Sequence, residues 1–170
     1  MDRNQQKALS LVELLIALLV LGILSTFAVP TFGKLLQDKR DEALRNLLRS
    51  HLQHARTQAV LNNHQYRLCG SSNGITCDGG WANHWLITTN HPFQIHQLQQ
   101  LPANNGLCWQ GFGKDIRYQP NGTTPVSNGR FNLCREGKTI WAMTINRQGR
   151  VRDSSAETRQ SCCPTNHTDT

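Results

Sequence analysis

The chain lacks most of the short patterns that mark catalysis. It has no Gly-x-Ser-x-Gly, no phosphate-binding loop and no dinucleotide fingerprint. No Cys-x-x-Cys occurs, which removes a common zinc and redox signature. Acids are scarce: 11 Asp and Glu stand against 18 Lys and Arg in 170 residues. Beyond residue 62, Asp78, Asp115 and Glu136 form no acid–base pair. The histidines at 51, 54, 64, 84, 91, 96 and 167 are scattered. His51 and His54 share a helix face, but no carboxylate or cysteine completes a ligand set. Cys69-Gly-Ser-Ser reads as a loop rather than a nucleophile. No catalytic residue, cofactor or metal is expected, and the chain is not read as an enzyme.

Charge is also missing from Leu14 to Val29. A helix from Leu9 to Val29 spans about 31 Å at 1.5 Å per residue, close to the hydrocarbon thickness of a bilayer. An ordinary secretory signal has a shorter core followed by a small-residue cleavage site. Here the apolar run leads into Pro30 and a helical pattern, so it reads as an anchor. Glu13 sits at its edge. A carboxylate drawn to the bilayer centre costs about 2.5–3.5 kcal/mol. Glu13 therefore either has a positive partner or rests at the headgroup boundary.

Four regions follow: a polar, basic leader at 1–8, a transmembrane helix at 9–29, an amphipathic helix at 30–61 and a polar, cysteine-bearing head at 62–170. In the third, Phe32, Leu35, Leu36, Ala43, Leu44, Leu47, Leu48, Leu52, Ala55, Ala59 and Val60 recur at three- and four-residue steps. The small Ala43, Ala55 and Ala59 favour packing against a sheet over a coiled-coil dimer. Asn62-Asn63 ends the helix, which would be about 80 Å long and bent at Pro30.

All six cysteines, Cys69, Cys77, Cys108, Cys134, Cys162 and Cys163, lie in the head. A small head with few aliphatics gains from cross-links, and such cysteine usage belongs to oxidising compartments. Disulfides are expected rather than a metal site: Cys69 with Cys77 in a local loop, and Cys134 with Cys162 or Cys163. Strands are expected at 65–69, 85–89, 93–98, 108–112, 115–119, 131–133, 139–145 and 150–152, separated by Gly- and Asn-rich turns. Trp81, Trp85, Trp109 and Trp141 are expected in the core. The fold class is α+β: a long N-terminal helix packed on a small antiparallel β-sheet head with disulfides.

Between Arg130 and Arg152 the bases Arg130, Arg135, Lys138, Arg147, Arg150 and Arg152 face the single acid Glu136. Such an excess favours a polyanionic partner. Asn146-Arg-Gln-Gly149 reads as a hairpin turn entering Arg150-Val-Arg152. Residues two apart on a strand share a face, about 6.6 Å apart. Arg150 and Arg152 then project together while Val151 turns inward, and Arg147 adds a third contact at the tip. The planar guanidinium binds phosphate in two-point fashion. The alternative is a solvated basic hairpin, or arginines that touch a neighbouring subunit.

Five segments carry a family resemblance. Lys7-Ala-Leu-Ser-Leu-Val-Glu-Leu-Leu-Ile16 resembles the class III leader of type IV pilins and type II secretion pseudopilins. Ile116-Arg-Tyr-Gln-Pro-Asn-Gly122, Gly129-Arg-Phe-Asn-Leu-Cys134 and Thr139 to Arg150 resemble the head of the GspH/FimT family of minor pilins and pseudopilins. Gly149-Arg-Val-Arg152 is similar to the Gly-Arg-x-Arg motif of the FimT branch, associated with DNA uptake in natural transformation. The resemblance implies cleavage between Ala8 and Leu9 by a prepilin peptidase, methylation of Leu9, and pairing of Glu13 with the N-terminal amine of a neighbouring subunit. Ala8 stands where the family usually has Gly, and Leu9 where it usually has Phe. The implied location is the inner membrane with a periplasmic head, then a filament of pilins or pseudopilins. With Arg147 from the turn and Lys138 from the basic cluster, the expected site for double-stranded DNA comprises Arg147, Arg150, Arg152, Gly149 and Lys138. The alternative implied role is a structural or initiation tip subunit of a type IV pilus or a type II secretion pseudopilus, without DNA binding.

Overall fold

The computed structural model describes residues 11–102, 105–154 and 162–163, the side chains of 27–31 excepted. Two compact units divide the chain, Met1–Glu42 and Ala43–Thr170. Helix α1, Leu11–Leu61, supplies residues to both and is helical through position 30.

In the first unit, Leu11 through Leu24 present exposed apolar side chains on all sides, with Glu13 in the first turn. Ser25 and Thr26 return their hydroxyls to the carbonyls of Gly22 and Ile23, at 2.8 and 2.7 Å, so neither adds an unsatisfied polar group to this surface. Phe32, Leu35 and Leu36 are exposed as well. Further along, Gln37 Nε2 donates to Asp41 Oδ1 at 2.9 Å and Lys39 pairs with Glu42 at 2.9 Å. Glu42 holds the Lys39 ammonium above its ordinary pKa by hydrogen bond and charge. Among the described residues no helix is long and apolar enough to cross a membrane. The expected span of 9–29 extends beyond the described side chains at both ends, and the leader at 1–8 lies outside the described residues.

The second unit begins with the rest of α1. Leu44, Leu48, Leu52, Ala55 and Ala59 form its buried stripe at steps of four, four, three and four. Ala43 and Val60, expected on that stripe, are exposed. Both flank the narrow face that meets the sheets. The helix ends as a Schellman cap: His64 N–H donates to Ala59 O at 3.2 Å and Asn63 N–H to Val60 O, with Asn63 at φ +47°. Asn tolerates this left-handed conformation better than most side chains, which is why Asn62-Asn63 stops the helix.

Eight strands follow among the described residues: β1 Tyr66–Ser71, β2 His84–Asn90, β3 Phe93–Gln100, β4 Leu107–Gly111, β5 Asp115–Tyr118, β6 Gly129–Arg135, β7 Lys138–Ile145 and β8 Val151–Ser154. They form two antiparallel four-stranded sheets, in the orders β3-β2-β1-β5 and β4-β6-β7-β8. The register sets Leu68 beside Ile87 and Ile116, and Phe131 beside Met143 and Trp109. With the helix stripe these make one hydrophobic core. Trp81, Trp85 and Trp141 are buried, and Trp109 is partly buried with its ring 4.6 Å from that of Phe131.

Three disulfides close the head: Cys69–Cys77, Cys108–Cys162 and Cys134–Cys163, with Cα–Cα distances of 5.5, 6.2 and 5.4 Å. The last two draw 162–163 onto neighbouring strands β4 and β6. There Asn132 Nδ2 donates toward Cys162 Sγ and Thr139 Oγ1 lies 3.3 Å from Cys163 Sγ.

Candidate nucleic-acid interface

Strands β7 and β8 end their pairing at Ile145 and Val151. The intervening turn closes through Asn146, whose N–H donates to Arg150 O at 3.1 Å. Its side-chain oxygen accepts the Arg150 N–H at 2.9 Å, and its carbonyl accepts the Gly149 N–H at 2.9 Å. Of these bonds only the one to the side-chain oxygen needs the asparagine side chain, and it explains the residue's place in the turn. Gly149 sits at φ +72°, a conformation that side chains strain.

Neighbouring elements brace the turn. Thr124 donates its N–H to Arg147 O and its hydroxyl to Asn146 O, both at 2.9 Å. Thr124 is itself at the end of a tight loop, where Gly122 N–H donates to Gln119 O at 2.8 Å and Asn121 Oδ1 accepts from Thr123. Arg56, from α1, donates Nη2 to Gln148 O at 3.2 Å. The carbonyls of Asn146, Arg147 and Gln148 are therefore each engaged.

Arg147, Arg150 and Arg152 are exposed, while Val151 between the last two packs against the core. Among the described residues none of these three guanidinium groups makes an ion pair. The nearest carboxylate in sequence, Asp153, is taken by Arg49 of α1. Surface pairs of this kind add little stability, but this one leaves the arginines without a local counter-charge from Asp153. An array of exposed forks on a braced backbone is suited to phosphate oxygens.

Two expectations about this site change. Arg150 belongs to the turn, because Asn146 binds both its N–H and its carbonyl, and β8 starts at Val151. The 6.6 Å strand spacing of Arg150 and Arg152 therefore does not follow, although both remain exposed. Lys138 pairs with Arg135 at the far end of β7. Six residues separate it from Thr144, the partner of Arg152, which places it about 20 Å along the strand from the arginines. Strand length removes it from the turn. Arg56, Arg49 and Thr124 are the residues that sequence reasoning missed. Arg56 adjoins buried Ala55, a position from which a long side chain can reach over the edge of the packed face.

Two acids of the head, Asp115 and Asp78, serve structure. Asp115 lies between Arg67 Nη1 at 3.2 Å and Arg117 Nε at 3.1 Å. Asp78 accepts from the hydroxyl of Ser72 and from the N–H groups of Gly80 and Ser72, and these bonds hold its carboxyl below the ordinary carboxylate range. His51 Nδ1 lies 2.9 Å from Leu47 O, and its Nε2 lies 3.2 Å from Gln97 Nε2. His54 Nδ1 lies 2.9 Å from Gln97 Oε1, so both imidazoles join helix to strand β3. Ala8 and Leu9 lie outside the described residues. Glu13 is exposed in the first turn of α1.

Comparison with known proteins adds two family matches. The sequence model of type II transport protein GspH matches residues 44–149, more than half of the chain. The prokaryotic N-terminal methylation motif matches residues 3–29. The first match ends at Gly149, so Arg150 and Arg152 lie just beyond it. Among solved structures, the type IV minor pilin FimU of Pseudomonas aeruginosa is similar in two crystal forms, each at 21% identity. In one, the TM-score is 0.53 and the alignment covers 73% of this chain and 98% of that one. In the other, the TM-score is 0.54 with 73% and 92% covered. At this identity the likeness concerns the fold. A comparison with curated proteins finds no match.

Proposed function

The chain belongs to the GspH family of type II transport proteins, and on that footing we propose that it is a minor pilin whose arginine turn binds double-stranded DNA without regard to sequence. The family is one of structural, non-enzymatic filament subunits, pilins or pseudopilins. The methylation motif marks such chains as prepilin peptidase substrates that pass from the inner membrane into a filament. The finer reading is a FimT-like subunit of a type IV pilus that acts in natural transformation. Residues 1–8 are its leader, Leu9 becomes the methylated N-terminus, and 9–29 anchor the chain. Residues 30–61 continue the helix and 62–170 form the periplasmic head. Glu13 pairs with the terminal amine of a neighbouring subunit.

The observation that carries the DNA reading is the turn itself: three exposed arginines without ion pairs among the described residues, on a backbone held through three consecutive carbonyls. The described head contributes no helix to read base edges, which favours phosphate contacts over base recognition. Three neutralised phosphates give a slope of log affinity against log salt of about −2.7. A lone subunit then binds weakly, and repetition along a filament raises the effective strength.

The test is binding of the full chain, in non-ionic detergent, to a DNA duplex across a salt series. Arg150→Gln with Arg152→Gln is expected to remove binding at low salt while the circular dichroism spectrum stays unchanged. Equal binding by that double variant ends the DNA reading and leaves the purely structural role in a pilus or pseudopilus.

A further inference from the structure

We infer that Arg56 of α1 is a positioning residue for the arginine turn; this rests on the DNA-binding reading above. Its guanidinium occupies a junction of three elements. From the helix, Nη2 donates to Gln148 O at 3.2 Å. From the loop, Gly122 at φ +74° comes so close that a Cβ there would lie 3.1 Å from Arg56 Nε. From the turn, a Cβ on Gly149 would lie 3.5 Å from the same nitrogen. Two glycine backbones thus border one cation: the missing side chain of Gly122 leaves it room, and a Cβ on Gly149 would only touch it.

The floor of the junction is Tyr118. A Cβ on Gly149 would stand 3.1 Å from Tyr118 Cε1, and the buried tyrosine hydroxyl has no hydrogen-bond partner among the described residues. Contact with this ring sets the depth of the turn, while Arg56 and Thr124 fix its lateral position. Thr124 takes the carbonyls of Asn146 and Arg147. The Gln148 carbonyl, next along the turn, is held from the helix side by Arg56. Without that bond, the segment joining Arg147 to Gly149 loses this tie to α1.

Arg56 is half-buried and one of its terminal nitrogens is engaged. That favours a role through the backbone of the turn over direct contact with phosphate. A turn ordered before binding loses less conformational freedom when DNA arrives. A hydrogen bond from a charged donor is also stronger than a neutral one.

The experiment measures duplex DNA binding by the full chain in non-ionic detergent across a salt series, with thermal unfolding recorded in parallel. For Arg56→Gln, affinity at fixed low salt is expected to fall ~3- to 10-fold. The salt slope should stay unchanged, because Arg147, Arg150 and Arg152 still meet phosphate. Arg56→Lys, which keeps a charged donor, should recover part of the loss. If Arg56→Gln does not fold, Arg56→Met, which keeps the apolar stem and removes the donor, carries the test, and wild-type affinity in it overturns the inference. Wild-type affinity in Arg56→Gln, with binding still lost in Arg150→Gln/Arg152→Gln, overturns the positioning role and spares the DNA reading. A slope shallower by about 0.9 would mean that Arg56 contacts phosphate itself, and also overturns it. Equal binding by all variants, the double variant included, removes both.

Discussion

Gly149 and Gly122 meet where the arginine turn rests on the loop of residues 119–124: a Cβ on Gly149 would overlap the carbonyl oxygen of Gly122. Both glycines also hold positive φ, +72° and +74°. The turn can sit this deep only because Gly149 carries no side chain; a Cβ on Gly122 would instead crowd Arg56 and Val60 of α1.

Gly149→Ala is therefore expected to combine backbone strain with a steric overlap. The loss should be about 1–3 kcal/mol in denaturant unfolding. DNA affinity should fall with it although no charge has been removed, because the turn must lift away from Thr124 and Arg56. An alanine variant with unchanged stability would mean that the loop yields freely and the turn is not braced as described.

Burial raises the pKa of the Tyr118 phenol well above its ordinary value of 10.0, against a weaker opposing pull from Arg56. In the unfolded chain the phenol ionises near its ordinary value, so above that pH the folded state binds more protons. Stability from this group is complete below about pH 10 and declines as pH rises beyond it. Tyr118→Phe should lessen the alkaline loss. At neutral pH it should change stability by no more than about 1 kcal/mol, because the hydroxyl it removes has no partner among the described residues. Unfolding midpoints across an alkaline pH series check both.

The disulfides close loops of different length, with sequence separations of 54 for Cys108–Cys162, 29 for Cys134–Cys163 and 8 for Cys69–Cys77. Loop-closure entropy alone ranks them at about 4, 3.5 and 2.5 kcal/mol. Paired Cys→Ser variants should lower the denaturant midpoint in that order. A largest effect from Cys69–Cys77 would show that its local loop, with Asp78 and Ser72, contributes more than chain entropy.

Much of the architecture was legible because it rests on local signals. Apolar spacing at three- and four-residue steps marked the helix, and Asn62-Asn63 its end. Gly- and Asn-rich turns separated most of the strands among the described residues, the His91-Pro92 link between β2 and β3 being an exception. The division into two sheets was not legible, since β5 pairs with β1 and β4 with β6 across long separations. Exposure of Ala43 and Val60 was missed for a related reason: a periodic pattern shows which residues share a stripe but not how wide a stripe the sheets cover.

The amino-acid sequence by itself determined the order of elements, the uncharged N-terminal run with Glu13 at its edge, the placement of cysteines in the head and the cluster of arginines at a turn. These depend on the chemistry of neighbours along the chain. Tertiary structure alone decided that Arg49 occupies Asp153 and that Arg56 reaches Gln148. Those contacts join residues far apart in sequence, and their geometry exists only once the helix has packed onto two sheets.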